Sequence, residues 1–145
     1  MCIRDSSRLD SIQAAVLNFK IKNLNKQNEL RIEQASYLIK AIKSSNIKTP
    51  RLTLGQSSVF HQFPILSRDR KSLMAFLRKK GINCGIYYPK PLSKMKAFRN
   101  IVSSRKVHSE NSEIASNRIL SLPIGPHLNI KDSEYIANAI QSFPK

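Results

Sequence analysis

The longest regular pattern of apolar and polar positions lies near the start of the chain, where residues 7–45 contain no glycine or proline. Apolar residues recur there at roughly the spacing of one helix face; they are Ile12, Val16, Phe19, Leu30, Leu38 and Ile42. The pattern predicts one long helix, or two helices with a soft break near residues 23–28, where three asparagines lower the helix propensity. Because so short a chain cannot wrap a helix of this length, we expect the helix to lie along a larger body or to link two bodies.

After Pro50 the pattern changes to short β-rich and helical segments. Residues 58–66 predict a strand, and Pro64 favours an edge position for it because proline cannot donate to a ladder. Ser67 is predicted to cap the helix that follows, and Gly81 is predicted to end that helix. One face of this helix carries Leu73, Phe76 and Leu77.

Five further segments are predicted to be a strand, a proline-controlled turn with a short helical piece, a helix, a strand and a final amphipathic helix. They are residues 83–88, 89–98, 109–117, 118–124 and 129–143. For the last helix, Asn129 fits the N-cap position and Asp132 follows it by three residues, which is the spacing of a capping box.

This order of elements predicts an α+β fold, in which a small sheet of about three short strands is covered by helices on one face. We divide the chain into a linking helix at residues 7–48 and a small α+β domain at residues 49–145. Residues 1–6, MCIRDS, fit neither the helix nor any targeting pattern. We expect them to be a non-native translation artefact.

The composition is that of a folded protein with an unusual charge. Of 145 residues, 41% are hydrophobic and 23% are charged, and 25 Lys and Arg against 9 Asp and Glu give a net charge of +16. Such a charge attracts polyanions, so nucleic acid, anionic lipid and phosphorylated small molecules are all possible partners. The basic residues are scattered over nearly every segment, which favours ordinary solvated surfaces. No zinc finger, Gly-x-x-Gly clamp or aromatic RNA-binding pattern accompanies them.

Cysteine usage and hydropathy bear on the compartment. Cys2 and Cys84 have no metal-ligand spacing and no partner pattern, so neither a zinc site nor a disulfide framework is indicated. No apolar run approaches the ~20 residues that cross a bilayer. We expect a cytoplasmic protein with no membrane segment.

The chain shows no self-contained catalytic motif. The three histidines, His61, His108 and His127, lie in unrelated contexts, and there is no Gly-x-Ser-x-Gly elbow, His-Glu-x-x-His helix or Gly-rich phosphate loop. His61 lies inside the predicted strand run. Two interpretations stay open for it: a histidine satisfied within the strand, or one that points from the strand end into a pocket.

Residues 87–91, Tyr-Tyr-Pro-Lys-Pro, are the most unusual local feature, and we name them the tyrosine–proline loop. Pro89 and Pro91 fix φ on either side of Lys90, and Pro89 disfavours the helical region for Tyr88. A stiff loop that presents aromatic hydroxyls and a lysine is suited to hold a polar, anionic ligand. A packed turn with both tyrosines in the core is an equally good interpretation of composition alone.

Several segments, in this order, resemble the C-terminal part of the DegT/DnrJ/EryC1/StrS family. They are SRLDSIQAAVL, Arg31 with Ala35-Ser36-Tyr37, VFHQFPIL, RDRKSLMAFLRKKGINCGIYYPKPLSKMKAF and RILSLPIGPHL. The resemblance runs over residues 7–143. It implies a pyridoxal-phosphate-dependent aminotransferase that acts on nucleotide-linked keto-sugars, with glutamate as the amino donor, and a homodimer in the full-length form.

The resemblance also implies that the chain is a fragment, similar to the linking helix and small C-terminal domain of fold-type-I aminotransferases. Members of the family carry the cofactor-binding lysine in a large N-terminal domain, whose motifs do not occur here, so we expect this chain to be inactive alone. Two alternatives stay open: a standalone basic module that binds nucleic acid, and a regulatory relative that has lost catalysis.

By the same resemblance, Tyr87 and Tyr88 are the expected substrate contacts, with His61, Lys90 and Arg8 as further members of the substrate site. The family usually has an asparagine at the position of Ser6, where it is expected to reach the cofactor phosphate of the neighbouring subunit. Three further positions depart from the family pattern: Ser93 replaces the common His, Met95 the common Gln and Phe98 the common Tyr. No residue of this chain is predicted to be catalytic or to bind a metal.

Overall fold

A computed structural model describes residues 10–44, 46–98 and 110–144. Residues 1–6, predicted to be an artefact, lie outside the described residues, as does Arg8.

The N-terminal segment forms two helices, α1 (Ser11–Ile21) and α2 (Leu24–Ala41), which confirms the second of the two alternatives. Asp10 caps α1, since its Oδ1 accepts a hydrogen bond from the Gln13 amide at 2.8 Å. The helices are separated at Asn23, whose φ of −106° and ψ of 4° are not helical. The first of the three asparagines therefore marks the break.

Three antiparallel strands form the sheet: β1 (Ile47–Lys48), β2 (Phe63–Ser67) and β3 (Ile119–Leu122), in the order β1-β2-β3. Ile47 pairs with Ser67, and Phe63 pairs with Leu122. Among the described residues the number of strands is as predicted, but one member differs. β1 was missed because two residues are too short to show an alternating pattern.

The predicted strand at residues 83–88 is wrong. Only Gly85 pairs, through an isolated bridge to Ser121, with N···O distances of 3.0 and 2.8 Å. Pro89 supplies no N–H and restricts Tyr88, so a longer ladder cannot form on the C-terminal side of this bridge.

β2 starts later than predicted and is the central strand, so the edge position predicted from Pro64 is also wrong. The chain bends before β2 because Phe60, with φ of 45°, adopts the left-handed region. β1 pairs only with Ser67 and Leu66. Pro64 therefore has no neighbouring strand on the β1 side, where its missing N–H costs nothing.

The predicted cap of the next helix, Ser67, is wrong because Ser67 is the buried last residue of β2. Helix α3 (Arg70–Lys79) is capped by Asp69, whose Oδ1 accepts from the Ser72 amide at 3.1 Å. This hydrogen bonding with Ser72 lowers the pKa of the Asp69 carboxyl. Gly81 has φ of 76°, as a residue that ends a helix requires.

The remaining elements follow the prediction closely. Leu92–Lys94 and Lys96–Phe98 form two short 3-10 turns, which are the predicted short helical piece. Helix α4 (Glu110–Arg118) and helix α5 (Ile130–Gln141) follow. The capping box of α5 is confirmed, because the Asn129 amide donates to Asp132 Oδ2 and the Asp132 amide donates to Asn129 Oδ1.

The core lies between one face of the sheet and helices α2, α3 and α5, as the alternating burial of β2 requires. The largest side chains that it fully buries are Leu38, Phe63, Ile65, Leu73, Leu77, Leu120 and Ile140. Helix α1 contributes no buried residue. None of the described helices combines the length and the apolarity that crossing a membrane requires.

Candidate functional site

The residues just before the tyrosine–proline loop are fixed to the body of the protein. The Ile82 amide donates to Leu77 O at 2.9 Å, and the Ile82 side chain is buried in the core. Three residues later Gly85 bridges to Ser121 of β3. The loop therefore leaves the body of the protein from two fixed points on α3 and β3.

Both tyrosines of the loop are exposed, Tyr87 by 59% and Tyr88 by 65%. The alternative in which both rings pack in the core is therefore wrong. The Tyr87 ring lies over Gly85, and a Cβ added at residue 85 would lie 3.0 Å from its Cε2 and Cζ atoms. Glycine at this position lets the ring approach the backbone closely.

A cavity of about 260 Å³ lies between the tyrosine–proline loop and α4. Its lining residues are Pro89, Lys90, Pro91, Lys94, Glu113, Ser116 and Asn117. Lys94 Nζ forms an ion pair with Glu113 Oε2 at 2.6 Å, with both side chains partly exposed. Because this pair holds Lys94, Lys90 is the lysine that can turn toward a ligand without breaking a described contact.

Ser93, beside this cavity, was not predicted as a site residue. Its Oγ is buried and has no hydrogen-bond partner among the described residues. Buried hydroxyls are normally paired, so Ser93 Oγ is an exception among the described residues. The sequence signal was its place in the Pro-Leu-Ser segment, where the family pattern has His.

His61 lies in the bend before β2 and is exposed, so it is not satisfied within a strand as the first interpretation held. It is also absent from the lining of the 260 Å³ cavity. β3 separates it from the tyrosine–proline loop, because Phe63 pairs with Leu122 on one side and Gly85 with Ser121 on the other. The described chain thus groups Tyr87, Tyr88 and Lys90, and places His61 across a strand from them.

Cys84 lies next to Gly85 but is not a candidate nucleophile. Burial raises the pKa of its thiol to about 11, so the reactive thiolate is scarce at neutral pH. Its Sγ faces the Ile82 carbonyl at 3.9 Å. The described residues contain no group of three His, Cys, Asp or Glu side chains that could hold a metal ion.

The arrangement places exposed polar groups beside a cavity. It offers two phenol hydroxyls and one free ammonium on a stiff loop, which are groups that bind anionic, polar molecules through charge-assisted hydrogen bonds. It contains no pair of a nucleophile and a base within hydrogen-bond reach among the described residues, and so no chemical step can be assigned to it.

Comparison with known proteins gives the same family over nearly the whole chain. The model of the DegT/DnrJ/EryC1/StrS aminotransferase family matches residues 5–141. The chain is 31% identical over 143 residues to dTDP-3-amino-3,6-dideoxy-alpha-D-galactopyranose transaminase of Aneurinibacillus thermoaerophilus, covering 95% of this chain. It is 32% identical over 141 residues to a pleiotropic regulatory protein of Geobacillus stearothermophilus, again covering 95% of this chain.

Among solved structures, the chain is similar to S. venezuelae DesV in complex with a ketimine intermediate. The TM-score is 0.85 and the identity 26%, over 94% of this chain and 37% of that one. The chain spans 37% and 38% of the length of the two relatives named above. All three matches therefore concern a little more than one third of a longer protein.

Proposed function

Because the chain belongs to the DegT/DnrJ/EryC1/StrS aminotransferase family, we propose that it is the C-terminal part of a sugar aminotransferase. The parent protein transfers an amino group from glutamate to a nucleotide-linked keto-sugar with the help of pyridoxal phosphate. The observation that carries this proposal is the family match over residues 5–141, together with a fold that superimposes on DesV. We further propose that the parent is a cytoplasmic homodimer.

The described residues do not by themselves form a pyridoxal-phosphate site. That cofactor needs a lysine for covalent attachment, held in a pocket with its pKa lowered by desolvation or a neighbouring charge. Every described lysine is exposed. The proposal therefore places the cofactor lysine in another part of the parent protein and makes the chain inactive alone.

The role proposed for this chain is to hold the substrate. When bound in the parent protein, the cofactor supplies the electron sink for amino transfer. Tyr87 and Tyr88 donate hydrogen bonds from their hydroxyls, and Lys90 contributes a positive charge close to the diphosphate of the substrate. The exposure of both rings and the stiffness of the loop support this role, because the groups are presented with little freedom to lose on binding.

Arg8 and His61 remain proposed members of the same substrate site. Arg8 lies outside the described residues, and His61 lies across β3 from the tyrosine–proline loop. Their assignment is supported by the resemblance to the family pattern.

The inactivity of the isolated chain is tested by borohydride reduction in the presence of pyridoxal phosphate. We expect only weak, distributed labelling of the exposed lysines. Stoichiometric labelling of a single lysine, located by peptide mass analysis, would show that the cofactor lysine lies within this chain.

The substrate role is tested in the full-length protein after the cofactor has been loaded with an amino group. Adding a keto-sugar nucleotide should return the cofactor to its aldehyde form, which absorbance records. Tyr88→Phe should raise the KM for the sugar nucleotide and leave the half-reaction with glutamate unchanged. Tyr135→Phe is the control, because Tyr135 is similarly exposed, by 54%, but its hydroxyl bonds Lys80 O.

A regulatory relative without catalysis is the second candidate, and the likeness to the pleiotropic regulatory protein favours it. The same full-length experiment separates the two functions. An aminotransferase exchanges the amino group with stoichiometric turnover, whereas a regulatory relative binds cofactor or sugar nucleotide and releases no aminated sugar.

A further inference from the structure

A second concave site lies at the β1 edge of the sheet, whereas the tyrosine–proline loop follows the bridge from Gly85 to β3. It has a volume of about 160 Å³ and is bordered by β1, the end of β2 and α4. Its lining residues are Asn46, Lys48, Leu66, Ser67, Arg68, Ile114 and Arg118. We name it the basic cleft, after Lys48, Arg68 and Arg118.

Strand register places these residues together. Lys48 pairs with Leu66 in the ladder, and the Arg68 amide donates to Asn46 O at 3.3 Å. Paired residues of a ladder project to the same face of the sheet, so Lys48 and Leu66 lie together; Arg68 directly follows Ser67, the last residue of β2, which also lines the cleft. Arg118 reaches the same cleft as the last residue of α4, one helical turn after Ile114.

Within the described residues, the three cations of the basic cleft have no ion-pair partner. None of their side chains forms a hydrogen bond or an ion pair with another described residue, and no carboxylate lines the cleft. Glu110 lies on the same stripe of α4 as Arg118, but two turns earlier, about 12 Å along the axis. Three like charges from three separate elements repel one another, and an anion between them removes that repulsion.

The dipole of α4 opposes an anion in the basic cleft, because the C-terminal end of a helix disfavours negative charge nearby. Arg70 offsets it, since Arg70 Nη1 donates to Ser116 O at 2.6 Å and to Ile119 O at 3.4 Å. One carbonyl of the last turn of α4, Ser116 O, is therefore already bonded to a guanidinium.

We propose that Lys48, Arg68 and Arg118 form a binding site for a phosphate group. Guanidinium groups match the geometry of phosphate oxygens, and an ammonium adds a point charge. The volume is about ten times the ~15 Å³ that one water molecule needs on the same measure, which leaves room for a phosphate group. This inference is independent of the proposed amino transfer, because the basic cleft and the tyrosine–proline loop share no residue.

The test is a calorimetric titration of inorganic phosphate into the 145-residue chain at low salt. We expect one saturable site, and a dissociation constant raised about tenfold or more in the double variant Arg68→Gln/Arg118→Gln. The matched control is Lys79→Gln/Lys131→Gln, which removes the same charge from exposed positions on α3 and α5. It should change the constant by less than about twofold, because only long-range, screened charge is lost.

Two results would overturn the proposal: equal weakening in both double variants, which shows attraction by net charge alone, or no saturable binding in the unchanged chain. Amide chemical-shift changes in NMR spectra provide a second readout. We expect them at Lys48, Arg68 and Arg118, and changes confined to other residues would overturn the proposed site. A parallel titration with uridine diphosphate identifies the source. Tighter binding than phosphate indicates a nucleotide ligand, and equal binding indicates free phosphate.

Discussion

At the scale of single residues, Gln34 links the N-terminal helices to the loop that follows β3. It is 3% exposed, and its Nε2 donates to Gly125 O at 3.0 Å and to Leu128 O at 2.6 Å, while its Oε1 accepts from the Gly125 amide at 3.2 Å. A buried amide side chain that satisfies three backbone groups is expensive to remove, because each group left unpaired loses its hydration without compensation.

We predict that Gln34→Leu lowers the free energy of unfolding by about 3 kcal/mol, measured by urea denaturation. Gln141→Leu is the matched control, since Gln141 makes one exposed hydrogen bond, to Ala41 O. Its effect should stay near 1 kcal/mol or below. Equal effects of the two substitutions would show that the interactions of Gln34 with the loop add nothing to an ordinary surface hydrogen bond.

The reactivity of the Cys84 thiol and its contribution to stability should both depend on pH. Because burial raises its pKa from 9.0 to about 11, alkylation of a Cys2→Ser variant, in which it is the only thiol, should be slow at pH 8 and rise about tenfold per pH unit. Between pH 9 and 11 the unfolded thiol has lost its proton and the folded thiol has kept it. The contribution of Cys84 to the free energy of unfolding therefore falls as the pH rises from 9 to 11. An alkylation rate that levels off near pH 9 would contradict the burial of the thiol.

At the scale of elements, Arg70 links the first turn of α3 to the end of α4 through its hydrogen bonds to Ser116 O and Ile119 O. We predict that Arg70→Met speeds amide hydrogen exchange in α4 and at the start of β3 by about tenfold, because local opening no longer breaks a charged hydrogen bond. Arg78→Met on the same helix is the control, as its side chain makes no hydrogen bond among the described residues. Unchanged exchange in Arg70→Met would mean that packing alone holds α4.

The elements that the sequence predicted well are those with strong local signals. The capping box at Asn129 and Asp132 and the left-handed Gly81 are encoded within a few residues, so local rules suffice. The strand at residues 83–88 and the cap at Ser67 failed because tertiary pairing decided them: Ser121 offers one bridge to Gly85, and β1 extends β2 through Ser67. β1 could not be predicted from two residues.

The residues of the candidate sites also differ in how far local sequence could group them. The sequence could group Tyr87, Tyr88 and Lys90 because neighbouring residues stay together in any fold. The orphaned Ser93 Oγ and the basic cleft were not found, because burial and the pairing of Lys48 with Leu66 exist only after the chain has folded.

At the scale of the whole molecule, the apolar side chains of α1 are left exposed to solvent by the rest of the described chain. Ile12 is exposed by 78%, Phe19 by 71% and Val16 by 53%, and none of the residues of α1 is buried. An apolar helix face of this kind is removed from water by association, at roughly 25 cal/mol per Å² of apolar surface buried. In the isolated chain the available surface is another copy of the same face.

We therefore predict that the isolated chain self-associates as its concentration rises, and that Ile12→Gln/Phe19→Gln shifts it to the monomer in sedimentation velocity experiments. Leu54→Gln is the control, because Leu54 is a fully exposed leucine outside the helices and strands and its removal leaves the α1 face intact. Association that persists in the double variant would assign it to a different surface. Association driven by the +16 charge and bound polyanions would disappear at high salt, whereas association through α1 strengthens there, because salt screens the repulsion between copies and leaves apolar burial in place.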